Sequence, residues 1–137
     1  MTDKVLLDTN LWVYLYSKEP YEKYQRVEQI LRDRPQSIQI STQVLGELFH
    51  VLTRKKFTSE ADAVAIVSSL INSFPILPIE SANVLQAMEV KQKYGYTYWD
   101  SLVLATALLN NCSILYSEDM QHGQLINTTL RIVNPFI

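Results

Sequence analysis

Five short apolar runs, KVLLD (4–8), SIQIS (37–41), PILPI (75–79), CSILY (112–116) and LRIV (130–133), are separated throughout the chain by longer helical periods. Runs of this length, rich in β-branched residues and mostly bounded by turn or cap residues, read as strands. Helical patterns lie near 9–17, 20–33, 42–56, 59–73, 81–94 and 98–110, several of them starting at Thr42, Ser59, Ser81 or Thr97 as caps. Strands alternating with helices require an α/β fold, with a short, mostly parallel sheet of about five strands and helices on both faces. Pro75 and Pro78 cannot both serve a central strand, so that segment belongs at an edge. LVLATALL (102–109) is apolar on nearly every side and must pack deep against the sheet.

The 137 residues suit one domain, expected to span 1–137 without a linker, repeat or low-complexity tract. With 47% hydrophobic and 19% charged residues and a formal charge of -2, the chain has no global pull toward nucleic acid or membrane. Any nucleic-acid contact has to be local. Cys112 is the only cysteine, which excludes an internal disulfide and a cysteine zinc cage. An acid precedes the first apolar run, and Asn110, Asn111, Pro75 and Pro78 interrupt the long uncharged stretches, so neither a signal peptide nor a membrane span is expected.

Open parallel sheets place their ligand crevice beyond the carboxyl ends of the strands. There the chain collects acids. Strand one ends in Asp8, strand four runs into Ser117, Glu118 and Asp119, and Asp100 opens the helix that leads into strand four. Glu47, within STQVLGELFHVL (41–52), lies beside the apolar stripe of its helix and needs a partner. Each acid also has an ordinary explanation: Asp8, Asp100 and Asp119 can cap helices or turns, and Glu47 can be half exposed. Capping does not explain why they gather at one end of a sheet.

Gathering them is costly, because two carboxylates about 4 Å apart repel by roughly 4 kcal/mol at an effective dielectric near 20. Apart from Lys4 at the far end of strand one, no Lys or Arg lies within several residues of Asp8, Asp100 or Asp119. A divalent cation is the remaining counter-charge, and oxygen-only ligands select hard ions, Mg²⁺ or Mn²⁺. Such ions serve phosphoryl chemistry, which makes phosphodiester hydrolysis the leading reaction. With three glycines, no Gly-rich phosphate loop, no GxSxG elbow and no Cys/His pair, NTP hydrolysis, acyl transfer and dinucleotide chemistry lack their parts.

LLDTN (6–10), GELFHVL (46–52), YTYWDSLVLATAL (96–108) and ILYSEDMQHG (114–123), in this order and spacing, resemble the PIN-domain ribonucleases of the VapC toxin type. The resemblance spans almost the whole chain. It implies a PIN-like fold and a site in which Asp8, Glu47, Asp100 and Asp119 surround Mg²⁺ or Mn²⁺ and cleave RNA with an activated water. Asn10 and Ser117 match polar positions that orient the acids or metal-bound waters, and Glu118 is peripheral. It further implies a homodimer, a small antitoxin laid across the active site, and a bacterial or archaeal cytoplasm. A PIN-like RNA-processing nuclease without an antitoxin, and a non-catalytic scaffold that binds RNA or protein, are the alternatives. A phosphotransfer receiver domain ranks last, because no lysine follows a late strand.

Basic and aromatic residues offer further contacts. Arg54, Lys55 and Lys56 can grip phosphates or simply favour a helix C-terminus. Lys91, Lys93, Tyr94, Tyr96, Tyr98 and Trp99 precede Asp100, where rings can stack splayed bases or pack in a core or subunit contact. Trp12, Tyr14 and Tyr16 suit core packing with a face left for a partner. His50 and His122 read as solvated or satisfied.

Overall fold

A computed structural model describes residues 3–137. Along the chain, β1 (Val5–Leu7), α1 (Thr9–Ser17), α2 (Tyr21–Asp33), β2 (Ile38–Ser41), α3 (Thr42–Arg54), α4 (Glu60–Ser73) and β3 (Ile76–Leu77) form the first half. The second half is α5 (Ser81–Tyr94), α6 (Tyr98–Leu109), β4 (Ile114–Tyr116), β5 (Leu125–Ile126) and β6 (Leu130–Val133). The sheet order is β3-β2-β1-β4-β6-β5, and every pair is parallel except β5 with β6.

Three consecutive residues show how the sheet is covered. Val5 and Leu7 belong to one core cluster with α1, α2, α3 and α4, while Leu6 belongs to the other with α5 and α6. All three are at most 3% exposed, so both faces of the strand are shielded and a continuous apolar run is required. As expected, the Pro75–Pro78 segment supplies the edge strand β3, and Pro75 contributes a carbonyl that accepts from the Ile40 N–H at 3.1 Å. Residues Ser101 to Ala107 of α6 are all buried, as its all-round apolar sequence demands. Inside that packing Asn83 Nδ2 donates to Thr106 Oγ1 at 3.0 Å, which satisfies two polar side chains against each other.

The six strands include one more than the five apolar runs. β5 has only two residues, placed between the positive-φ Gly123 and the turn at Asn127 and Thr128, too short to show a period. Two caps also move by one residue. Ser41, the last residue of β2, caps α3 by accepting from Val44 N at 3.1 Å, and Glu80 rather than Ser81 stands at the cap of α5. Ser59 and Thr97 do cap α4 and α6. Among the described residues, no helix is long and apolar enough to cross a membrane.

Candidate active site

The chain leaves β1 in one direction, building β2 and then β3, and returns to the other side of β1 to build β4. The crevice at such a reversal lies beyond the carboxyl ends of β1 and β4. The parallel register pairs Leu7 with Tyr116, so the next residues, Asp8 and Ser117, stand side by side. Asp8 N donates to the Tyr116 carbonyl at 2.9 Å, and Ser117 Oγ donates to Asp8 Oδ2 at 3.0 Å. Asp8 is also the N-cap of α1, its Oδ1 accepting from Thr9 N at 2.8 Å. Capping therefore fixes this carboxylate at the crevice.

The other acids are anchored to the same short segment. Thr9 Oγ1 donates to Glu47 Oε1 at 2.7 Å, tying α3 to the start of α1. Asn10 Nδ2 donates to Asp119 Oδ2 at 2.8 Å, and Asp119 N donates to Ser117 Oγ at 3.3 Å. Asp100 sits in the first turn of α6, where its backbone N–H donates to the capping Thr97 Oγ1 at 3.1 Å. The positive-φ Gly95, whose N–H donates to the Lys91 carbonyl at 2.9 Å, closes α5 and turns the chain toward that cap. Asp8, Asn10, Glu47, Asp100 and Asp119 all line one cavity of about 450 Å³, and Ser117 is buried directly behind Asp8.

No Lys or Arg contributes to that wall. Burial pushes the Asp8 carboxyl up to about 6, with the charges of Asp100 and Glu47 adding to the effect and the Thr9 and Ser117 hydrogen bonds opposing it. Asp100 is raised above the ordinary carboxylate range, first by burial and then by the charge of Asp119. The four carboxylates are oxygen donors with no Lys or Arg beside them in the cavity wall, which fits a hard divalent cation. The acids ring the cavity rather than meet at a point: no three His, Cys, Asp or Glu side chains among the described residues converge into a ready-made metal cluster.

The profile of the PIN domain family matches residues 5–125, nearly the whole of this arrangement. The chain belongs to the PIN domain family. Solved structures share its fold: a toxin–antitoxin complex from Klebsiella pneumoniae has a TM-score of 0.73 at 23% identity, with 96% of this chain and 98% of that one covered. DNA-bound VapBC from Salmonella typhimurium also reaches 0.73, at 15% identity over 96% and 97% of the two chains. Mycobacterium tuberculosis VapC20, described as a sarcin–ricin-loop-cleaving toxin, reaches 0.68 at 16% identity over 83% and 88%. No curated protein sequence gives a significant match.

Most other charged and aromatic candidates of this PIN domain fall outside the cavity. Glu118 turns toward α2, where its Oε2 pairs with Lys23 Nζ at 2.6 Å and its Oε1 accepts from the Tyr14 hydroxyl. His122 Nδ1 accepts from Asn134 N at 2.9 Å, whereas His50 is exposed on the cavity wall. Tyr94 and Tyr96 spend their hydroxyls on Asn127 and Gln124, and Trp12 is fully buried. Only Trp99 of the aromatic group before Asp100 reaches the cavity. Arg54, Lys55 and Lys56 are exposed at the end of α3 and do not line it.

Two contributors escaped the sequence reading. Thr9 holds Asp8 through its backbone and Glu47 through its hydroxyl, and Gln43 donates from Nε2 to the Trp99 carbonyl at 3.1 Å. The available signal for Thr9 was its place between Asp8 and Asn10, where both neighbours were already candidates. Nothing local marked Gln43, because its partner lies 56 residues away.

Proposed function

We propose that this PIN domain, read as a single unit over 1–137, is a divalent-metal-dependent endoribonuclease and the toxin of a toxin–antitoxin pair. The observation that carries the proposal is four carboxylates on one cavity with no Lys or Arg in its wall. Asp8, Glu47, Asp100 and Asp119 are the residues to hold Mg²⁺ or Mn²⁺. When bound, such an ion supplies Lewis acidity to a phosphodiester and lowers the pKa of water.

The chain's own groups set the geometry. Ser117 and the Thr9 N–H hold both oxygens of Asp8, and Asn10 holds one oxygen of Asp119. Thr9 occupies Oε1 of Glu47, leaving Oε2 to take the proton of the attacking water. As the water oxygen bonds to phosphorus the P–O bond to the leaving nucleotide breaks, the leaving oxygen takes a proton from solvent at the open mouth of the cavity, and Glu47 gives up its proton there. The relatives in complexes named VapBC or toxin–antitoxin support a small antitoxin as partner, and we extend the reading to a homodimer acting in a bacterial or archaeal cytoplasm.

The test compares purified wild type and Asp100→Asn on labelled tRNA and mRNA pools, with Mg²⁺, Mn²⁺ or EDTA. Discrete fragments from wild type alone, lost in EDTA, are expected. Equal fragments from both proteins would reject the site, and intact RNA from a partner-free wild type in both metals would reject the activity in favour of a non-catalytic scaffold. Glu118→Gln supplies the internal control. Because Glu118 faces Lys23 and Tyr14 away from the cavity, its cleavage rate should stay within about twofold of wild type, while the weakened Lys23 pair shows only in a lower melting temperature. A large loss with intact folding would place Glu118 among the acids that matter.

A further inference from the structure

Trp99 is 63% exposed, more than any other aromatic ring among the described residues, yet it is held firmly. Its carbonyl accepts from Gln43 Nε2 at 3.1 Å, and the edge of Tyr98 meets its ring at 5.0 Å and 79°. Tyr98 in turn packs on Ala87, Leu102 and Ala105 of the α5–α6 layer. The main chain beneath the indole is thus fixed by Gln43 and the ring rests on Tyr98, while its outer face stays in solvent. Trp99 also lines the cavity and adjoins Asp100 in the chain.

We propose that the Trp99 indole is the stacking platform for one unpaired base next to the scissile phosphate, which makes it a positioning and selectivity residue of this site. The proposal rests on the RNA-cleaving reading above. No Lys or Arg lines the cavity, so close to the cut the grip on RNA cannot come from their charges. Stacking answers that need, because every base has an uncharged π face and the interaction is largely indifferent to salt. A paired base has both faces covered by its neighbours and cannot use the platform, whereas a nucleotide in a loop or single strand can splay onto it. Purines offer the larger face. The neighbouring Tyr94 and Tyr96 rings are tethered by their hydroxyls to Asn127 and Gln124 at the two ends of β5, which leaves Trp99 as the ring available for this purpose.

Fluorescence gives a direct readout, since the other tryptophan, Trp12, is fully buried and insulated from ligand. Asp8→Asn protein, used so that binding is read without cleavage, is titrated in Mg²⁺ with a single-stranded RNA of about eight nucleotides, a length typical of such sites. Binding is followed in parallel by anisotropy of a labelled RNA. Quenching of the exposed, red-shifted emission at saturation is expected, and Trp99→Phe should remove that signal. Trp99→Ala should weaken single-strand binding about ten- to a hundredfold, with duplex affinity and thermal stability unchanged. One abasic nucleotide, scanned along the RNA, should reproduce the loss in Trp99 protein and add nothing in Trp99→Ala.

Saturation without quenching, or equal affinity of Trp99→Ala, overturns the proposal. Quenching by a co-expressed antitoxin but not by RNA also overturns it, and assigns the indole to a protein contact. If wild type cleaves RNA while Trp99 stays silent, the platform fails and the nuclease stands. If RNA quenches Trp99 while wild type cleaves nothing, the nuclease fails and the platform stands as an RNA-binding feature.

Discussion

Asp8→Asn is expected to lower RNA cleavage by roughly a thousandfold, the equivalent of about 4 kcal/mol of transition-state stabilisation, and at the same time to raise the melting temperature in metal-free buffer. The two effects share one cause. A carboxyl that titrates at 3.8 in the unfolded chain and near 6 when folded binds its proton more readily in the folded state. Ionised Asp8 therefore destabilises the fold at neutral pH, by up to about 3 kcal/mol, and that penalty disappears as pH falls through 6 toward 4. Asn carries no charge and keeps an oxygen for the Thr9 N–H, while the Ser117 hydroxyl can turn to accept from its amide. The gain should reach several degrees at pH 7 and shrink toward zero near pH 4. Mg²⁺ or Mn²⁺ should raise the wild-type melting temperature more at pH 7 than at pH 5, and EDTA should reverse the change. Scanning calorimetry of both proteins from pH 4 to 8 decides it. A variant that melts below wild type across that range, or that still cleaves, would show that Asp8 is not a strained ligand.

Trp12→Ala should cost about 3 to 5 kcal/mol, a large part of the total stability of a domain this size. Trp12 is fully buried in the cluster under α1 to α4 and meets Phe74 edge-on at 5.6 Å. The loss would reach the site because α1 carries Thr9 and Asn10, which hold Glu47 and Asp119. Trp12→Phe should cost less than half as much: the indole Nε1–H has no hydrogen-bond partner, so the ring shrinks but no bond is broken. Urea denaturation with an unchanged slope is the measurement. A midpoint for Trp12→Ala that corresponds to a loss under about 1 kcal/mol would mean that the cluster closes over the cavity.

By itself the sequence determined the six helices and five of the six strands, because period and capping are local, and it missed only the two-residue β5, too short to show a period. The runs at 4–8 and 37–41 became central strands, the two prolines marked an edge, and the all-round apolar 102–109 segment named its own burial. It also nominated the acids, since a charge that closes a strand or opens an apolar helix is visible in one dimension. Only the tertiary structure decided which of them share a cavity. Glu118 and Asp119 are adjacent in the chain, yet one faces Lys23 and the other Asn10, a choice made by whole elements docking rather than by any spacing. The same holds for the aromatic run before Asp100, where Gln124 and Asn127, flanking β5, claim Tyr96 and Tyr94 and leave Trp99 in solvent. Thr9 to Glu47 and Gln43 to Trp99 cross 38 and 56 residues. Contacts of that range exist only once the helices are docked on the sheet, because their loop entropy is offset by the buried core and not by local preference.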